Sequence, residues 1–280
     1  MGKVSKNIDK SVGLSLDKLP AFSIGLVNYK TFDLTKICLD LLKSHFDSGL
    51  LDPQKVDVWV VDNDSKDAST AYLRGLDWIH LIERPTTKKE EGFAAHGEGL
   101  NLILENIRSD YLFLIHTDTF IYNVEVFAMM LLRMLQGEKI AAVGCLHQIN
   151  RGNLRLAWRT LNGFFKYHVR RIKIALGFPS RPAKPYIEPY IKSFCALWNV
   201  KLMRQNKVRF FAELRIPGYE TQDFFKAHGY RILCLPPRLI FRYLDHVEAG
   251  TVGLVSGYSA DNRRSVRKKN LVQQLLRDNK

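Results

Sequence analysis

Cysteine is scarce in this chain. Four cysteines occur in 280 residues, Cys38, Cys145, Cys195 and Cys234, and no two form a Cys-x-x-Cys pair. That scatter excludes a disulfide framework and a thiolate zinc site, and it fits reduced thiols in a cytosolic protein. No uninterrupted apolar run reaches the roughly 20 residues that cross a bilayer. The first residues, MGKVSKNIDKSVGLSLDKLP, lack the apolar centre of a secretory signal. They also miss the myristoylation spacing, which requires Ser or Thr at the place held by Lys6. Glycine is sparse where nucleotide loops need it: SIGLVNYKTF has one glycine, inside the first strand-like run. This argues against a dinucleotide fingerprint and against a phosphate loop. Acidic residues are missing altogether between Lys139 and Glu188.

What is present starts with charge. The formal net charge is +14 and the pI is near 9.6. Such a balance favours polyanionic partners, whether nucleic acid, anionic lipid or phosphorylated substrates, without choosing among them. A hydrophobic content of 46% is enough for one large core or two merged lobes.

Along the chain, residues 1–20 read as a loose leader closed by Pro20. AFSIGLVNY (Ala21 to Tyr29) reads as a buried strand ending on Asn28 and Tyr29. In DLTKICLDLLKSHF, Leu34, Ile37, Leu41 and Leu42 recur at helical spacing. Val56 to Val61 form a second strand, followed by Asp62, Asn63, Asp64 and Ser65. WIHLIERP is a short third strand, and HGEGLNLILENIRSD is a helix opened by glycines. A fourth strand, YLFLI, runs into His116, Thr117, Asp118 and Thr119. Strands alternating with helices predict a mostly parallel sheet with helices on both faces. Ligands of such sheets sit outside the carboxyl ends of the strands. Three strand ends here carry polar clusters that would converge on one edge.

The second half changes character. Residues 151–184 interleave Arg155, Arg159, Lys166, Arg170, Arg171 and Lys173 with Trp158, Leu161, Phe164, Phe165, Ile172 and Leu176. This reads as a basic amphipathic helix or helix pair. It is either a solvated face on a core helix or a contact with an anionic membrane surface; no nucleic acid is expected. PSRPAKPYIEP is a proline-rich connector. YIKSFCALWNVKLMR reads as strand then helix. IPGYETQDFFKAHGYRILCLPP reads as turn, short helix, turn at Gly229 and strand. A basic tail, 257–280, closes the chain.

Taken in order, these elements resemble the GT-A glycosyltransferases, in particular the inverting family 2. The resemblance covers roughly residues 21 to 252. VVDNDSKDAST is similar to the segment that holds the nucleoside of a sugar nucleotide. Gly92-Phe93-Ala94 before HGEGLN is similar to the family's glycine-rich element. His116-Thr117-Asp118 stands where the family has a metal-binding DxD, with histidine in place of the first aspartate. YETQDFFKAHGYRI matches the acidic motif that supplies the catalytic base. His246 in DHVEAGT matches the late histidine of the family.

The resemblance implies a GT-A domain over 21–256, with a nucleotide-sugar half at 21–120 and an acceptor half at 121–256. Donor contacts would come from Asn28, Tyr29, Asp62, Asp64, Ser65, Gly92, His96 and Thr117. Asp118, His116 and His246 would hold a divalent ion, Mn2+ or Mg2+. The base would be Glu220 or Asp223. Counting back from Gly229 favours Glu220, and Asp223, one turn later, could face the same way. The implied activity is inverting transfer from a nucleoside-diphosphate sugar to a saccharide or lipid-linked acceptor. The setting would be polysaccharide or glycolipid synthesis, on the cytoplasmic side, peripheral to the membrane. Two rivals differ in class: a non-catalytic basic binding module on a degenerate GT-A scaffold, kept alive by His116, and a nucleotidyltransferase, which lacks the expected phosphate loop.

Overall fold

The computed structural model describes residues 18–86, 92–150, 152–183, 185–187, 189–212 and 215–247. Most of the expected leader, the residues from 248 to 256 and the basic tail lie outside them. The first half follows the predicted alternation. β1 (Phe22–Asn28), α1 (Phe32–Asp47), β2 (Val56–Asp62), α2 (Ala68–Arg74), β3 (His80–Glu83), α3 (Gly92–Asn106) and β4 (Tyr111–Ile115) succeed one another. The second half holds β5 (Thr119–Ile121), α4 (Glu125–Met134), β6 (Ile140–Cys145), α5 (Asn153–Ala175), β7 (Cys195–Asn199), α6 (Val200–Gln205), α7 (Tyr219–Ala227), β8 (Arg231–Leu235), α8 (Pro237–Ile240) and β9 (Leu244–His246).

Seven strands form one sheet in the order β3-β2-β1-β4-β7-β6-β8. Only β7 runs against its neighbours, β4 and β6. Because β4 pairs with β7, residues from both expected halves share this sheet. Alternation along the strands sorts the core into two layers. Phe113 and Ile115 of β4 join Ile24, Leu26 and the α1 residues Leu34, Ile37 and Leu42 on one face. Leu112 and Leu114 meet Leu100, Ile103 and Leu104 of α3 on the other.

Two glycines decide how closely α3 lies on the sheet. A Cβ on Gly99 would come within 3.0 Å of Val27, and one on Gly97 within 2.5 Å of Phe211. The side chain of Asn101 then ties a later segment to α3: its Oδ1 accepts from the Phe210 and Phe211 amides and its Nδ2 donates to the Phe211 carbonyl. The predicted basic helix or helix pair is a single helix, α5, of 23 residues.

Candidate active site

The ends of β1 and β2 lie side by side, Asn28 opposite Asp62. Both turns that follow use left-handed backbone at non-glycine residues: Lys30, Asp64 and Lys66 have φ of 52°, 58° and 52°. Such strained residues gather where a loop must present side chains in one fixed way. Beneath them is a closed polar network. The Asn28 amide donates to Asp62 Oδ1, Ser65 Oγ and Ser69 Oγ, while its oxygen accepts from Thr31 and Thr35. Asp62 also accepts from Ser65 and from Thr70.

This corrects part of the expected donor shell. Asn28, Ser65 and Thr117 are buried, and their polar atoms are engaged inside, Thr117 with Thr31. They shape the edge rather than reach outward. Asp62 has used three of its roughly four acceptor positions. It still lines a cavity of about 540 Å³ with Asp64, Lys66, Thr70, Arg74 and Arg84. Asp64 accepts from Thr86 and pairs with Lys66, and these two partners hold its carboxyl below the usual range, Lys66 first. Tyr29 stands at the rim, 41% exposed, with the Lys30 ammonium near its ring.

At the end of β4 the chain turns tightly, the Thr119 amide donating to the His116 carbonyl, and enters β5. β5 pairs antiparallel with β9, placing Thr119 opposite His246. That short ribbon brings His246 to Asp118. His246 Nδ1 lies 3.0 Å from the Gln148 carbonyl. A carbonyl only accepts, so Nδ1 donates to Gln148 and Nε2 is left for the other side. Nε2 lies 3.1 Å from Asp118 Oδ1 and makes no hydrogen bond. Both side chains are 5% exposed or less. A ring nitrogen and a carboxylate held this close, away from water, suit a shared cation, whether a proton or a metal ion.

His116 completes the group. Its Nδ1 is 3.8 Å from the same carboxylate oxygen, and its Nε2 is fixed by Ser193 Oγ at 2.8 Å. One ligand atom from each of His116, Asp118 and His246 lies within 4.8 Å of the others. Desolvation pushes the His116 imidazole down to about 3, against the pull of the Asp118 charge, so its lone pair is available at neutral pH. Two imidazoles and one carboxylate fit a divalent ion. They suit Mn2+ better than Mg2+, which prefers oxygen ligands throughout.

His96, on the first turns of α3, stands edge-on to His116 with ring centroids 5.5 Å apart. Burial lowers its imidazole to about 4, and its Nε2 has no hydrogen-bond partner. It is therefore a neutral ring at the border of the same centre. At Gly92 a Cβ would meet nothing of the chain within 4 Å, so the protein's own packing does not require that glycine. The tight positions are Gly97 and Gly99, which the glycine-opened helix had not singled out as packing sites.

The two acidic residues of α7 part company. Asp223 accepts from Arg215 at 2.6 Å and from the Tyr190 hydroxyl at 2.8 Å. Glu220, in the first turn, has no hydrogen bond or ion pair among the described residues, and it is half-buried. Gly218 caps the helix in the left-handed region, φ 81°, against Trp198, which is itself a core residue. Beside Glu220, Tyr219 stacks on Tyr190 at 4.0 Å. Lys192, Arg215 and Lys226 lie over these rings.

Such a sheet edge, with an acidic-imidazole centre at the end of β4 and a carboxylate on a later helix, defines a nucleotide-sugar transferase fold of the GT-A kind, as expected from the sequence. Residues 23–195 match the model described as glycosyl transferase family 2, more than half of the chain, and the chain belongs to that family. No curated protein matches it in sequence. Among solved structures it is similar to the mannosyltransferase PcManGT from Pyrobaculum calidifontis in complex with GDP-Man and Mn2+. There the TM-score is 0.54 and the identity 15%, over 78% of this chain and 55% of that one. It is also similar to residues 1–349 of TarS from S. aureus in complex with UDP, with a TM-score of 0.50 and 14% identity over 91% and 70% of the two chains. At these identities the likeness concerns the fold, and the chain spans little more than half the length of the mannosyltransferase.

Proposed function

We propose that this protein transfers a sugar from a nucleoside diphosphate to a hydroxyl of a saccharide or lipid-linked acceptor, with inversion, in polysaccharide or glycolipid synthesis. The observation that carries this reading is the group of His116, Asp118 and His246 at the sheet edge, with His246 Nε2 held 3.1 Å from Asp118 Oδ1. His116, Asp118 and His246 would hold a divalent ion, Mn2+ by its ligand types, which when bound offsets the charge of the departing diphosphate. Support comes from family membership and from the neighbour solved with GDP-Man and Mn2+.

The chain's own groups supply the rest. Tyr29 offers a face for a base, and Asp62 and Asp64 offer acceptors for its N–H groups beside the cavity. His96, neutral and unpartnered at Nε2, borders the diphosphate position. Glu220 takes the proton of the acceptor hydroxyl as its oxygen attacks the anomeric carbon. The bond from that carbon to the phosphate oxygen breaks on the opposite side, and the leaving diphosphate keeps the electron pair. One in-line displacement needs no covalent nucleophile. Asp223 is engaged by Arg215 and the Tyr190 hydroxyl and serves to fix α7.

The rival of a non-catalytic module rested on His116 replacing an aspartate. Its weakness is that His116 is aimed at Asp118 rather than turned away. A panel of sugar nucleotides with Mn2+, read by thermal shift and by release of nucleoside diphosphate, tests the proposal. Binding of no donor, with or without Mn2+, would sink it.

A further inference from the structure

Helix α5 is amphipathic in the reverse sense of a helix laid on a core. Its inner, partly buried positions are Leu156, Thr160, Gly163, Tyr167 and Arg170. Gly163 is pressed so closely on Tyr186 that a Cβ would come within 3.0 Å of that side chain. The Tyr167 and Tyr186 rings meet at 5.7 Å. At 3.6 residues per turn, Leu154, Trp158, Leu161, Phe165, Ile172 and Leu176 form one stripe roughly opposite this inner face. They are 89%, 67%, 49%, 58%, 59% and 66% exposed. The apolar stripe thus points to solvent, while a mixed face of Leu156, Thr160, Gly163, Tyr167 and Arg170 points to the protein. A helix serving only its own fold would be turned the other way round.

Charge identifies what covers the stripe. Arg155, Arg159, Lys166 and Lys173 run along one edge of it and Arg171 along the other, all exposed. No acidic residue occurs between Lys139 and Glu188. A contiguous row of large apolar side chains is rare on a free monomer surface. Bordered by cations on both edges, and about 35 Å long, it has the pattern of a helix lying in the headgroup plane of a bilayer. No helix among the described residues is long and apolar enough to cross one.

We propose that α5 is an in-plane anchor for an anionic lipid surface. Trp158, Leu161, Phe165 and Ile172 enter the acyl boundary, and the flanking arginines and lysines pair with lipid phosphates. The anchor belongs to the same loop system as the metal centre: Gln148, whose carbonyl orients His246, lies a few residues before Gly152, where α5 begins. A docked α5 would therefore hold the candidate active site at the bilayer surface, where a lipid-linked acceptor is found. The lipid contact itself does not depend on the transfer reading.

The test is flotation of the full chain with vesicles of phosphatidylcholine alone or mixed with phosphatidylglycerol. The wild type should float with the mixed vesicles and fall off as salt rises, since exposed charges are screened beyond about 8 Å at physiological ionic strength. Trp158 fluorescence should shift to the blue on binding, because the indole leaves water. Combined Trp158→Ser, Phe165→Ser and Ile172→Ser should cut vesicle binding about tenfold or more, with circular dichroism and melting unchanged because these side chains face solvent. That variant keeps every charge, so its loss cannot come from the basic residues near the C-terminus. Three outcomes would overturn the proposal: no binding of the wild type to mixed vesicles, equal binding by the apolar variant, or a lipid-free dimer of the wild type that the variant abolishes, which would give the stripe to a second copy.

Discussion

His246 Nε2 stands 3.1 Å from Asp118 Oδ1. The proximity is built by main chain: β5 pairs with β9, and the Val247 amide donates to the Asp118 carbonyl. The ring is oriented by the Gln148 carbonyl on the other nitrogen. A ring held in this way, with Nε2 against a carboxylate, can share a cation with it.

Asp118→Asn should therefore weaken Mn2+ binding while keeping the fold. The change is nearly isosteric and removes only the charge of the carboxylate. Calorimetric titration with Mn2+ should show at least a tenfold weaker site, about the low end of losses seen for perturbed metal sites. Transfer should fall on the order of 10²-fold or more. Wild-type turnover by this variant would remove the metal assignment. His246→Gln should weaken Mn2+ by a smaller factor, because the anionic ligand, Asp118, remains.

Asp62 and Asp64 should separate in a way their shared motif does not suggest. Asp62→Ala removes the acceptor of the buried Ser65 hydroxyl and one of the three acceptors of the Asn28 amide. A buried polar group left without its partner costs about 1–3 kcal/mol, so urea unfolding should show a stability loss of that order. Asp64→Ala removes an outward contact and should raise donor KM with little effect on the unfolding midpoint. A stable Asp62→Ala with altered donor KM alone would make Asp62 a donor contact with no part in holding the edge together.

Glu220→Gln should lower kcat on the order of 10²-fold, with donor binding retained. Asp223→Asn should lose less, because Asp223 is already engaged by Arg215 and Tyr190 rather than free for an acceptor. Its loss should track destabilisation of α7, and restoring activity at lower temperature would separate the two effects. Reversed severities would make Asp223 the base.

The sequence was most legible where period and strand ends coincide. β1, β2 and β4 are apolar runs ending in polar clusters, and they lie where the pattern places them. β6 was missed because IAAVGC is short, alanine-rich and without alternation. β5 and β9 have three residues each, too few for any period to register, so the meeting of Asp118 and His246 came from resemblance alone. At strand ends a polar residue can face a ligand or a neighbour's hydrogen bond. Asn28 and Ser65 took the second course, and nothing in residue type distinguishes the two. The direction of the α5 stripe was likewise beyond reach. Periodicity reports that a helix has two faces, not which one the protein covers.

Gly97→Ala tests whether α3 carries the position of the base. The Gly97 site is crowded on one side only: an added Cβ would lie 2.5 Å from Phe211 Cβ and 2.8 Å from the Pro217 ring. Neither neighbour can withdraw easily. Phe211 is held by Asn101 through its amide and its carbonyl, and Pro217 leads into the Gly218 cap, whose amide donates to the Phe210 carbonyl. The strain must pass to the start of α7, two residues before Glu220. Overpacking of this kind costs about 1–3 kcal/mol, so the melting temperature should fall by several degrees. A displaced base with an intact donor edge should lower kcat more than it raises donor KM, since misplacing a reacting group by about 1 Å can cost roughly 10²-fold. Gly99→Ala is the control, because its Cβ would meet Val27 and Val61 under the donor edge instead. If Gly97→Ala lost stability and kept full kcat, α7 would be positioned by the sheet, through Gln222 and Ile191, rather than by α3.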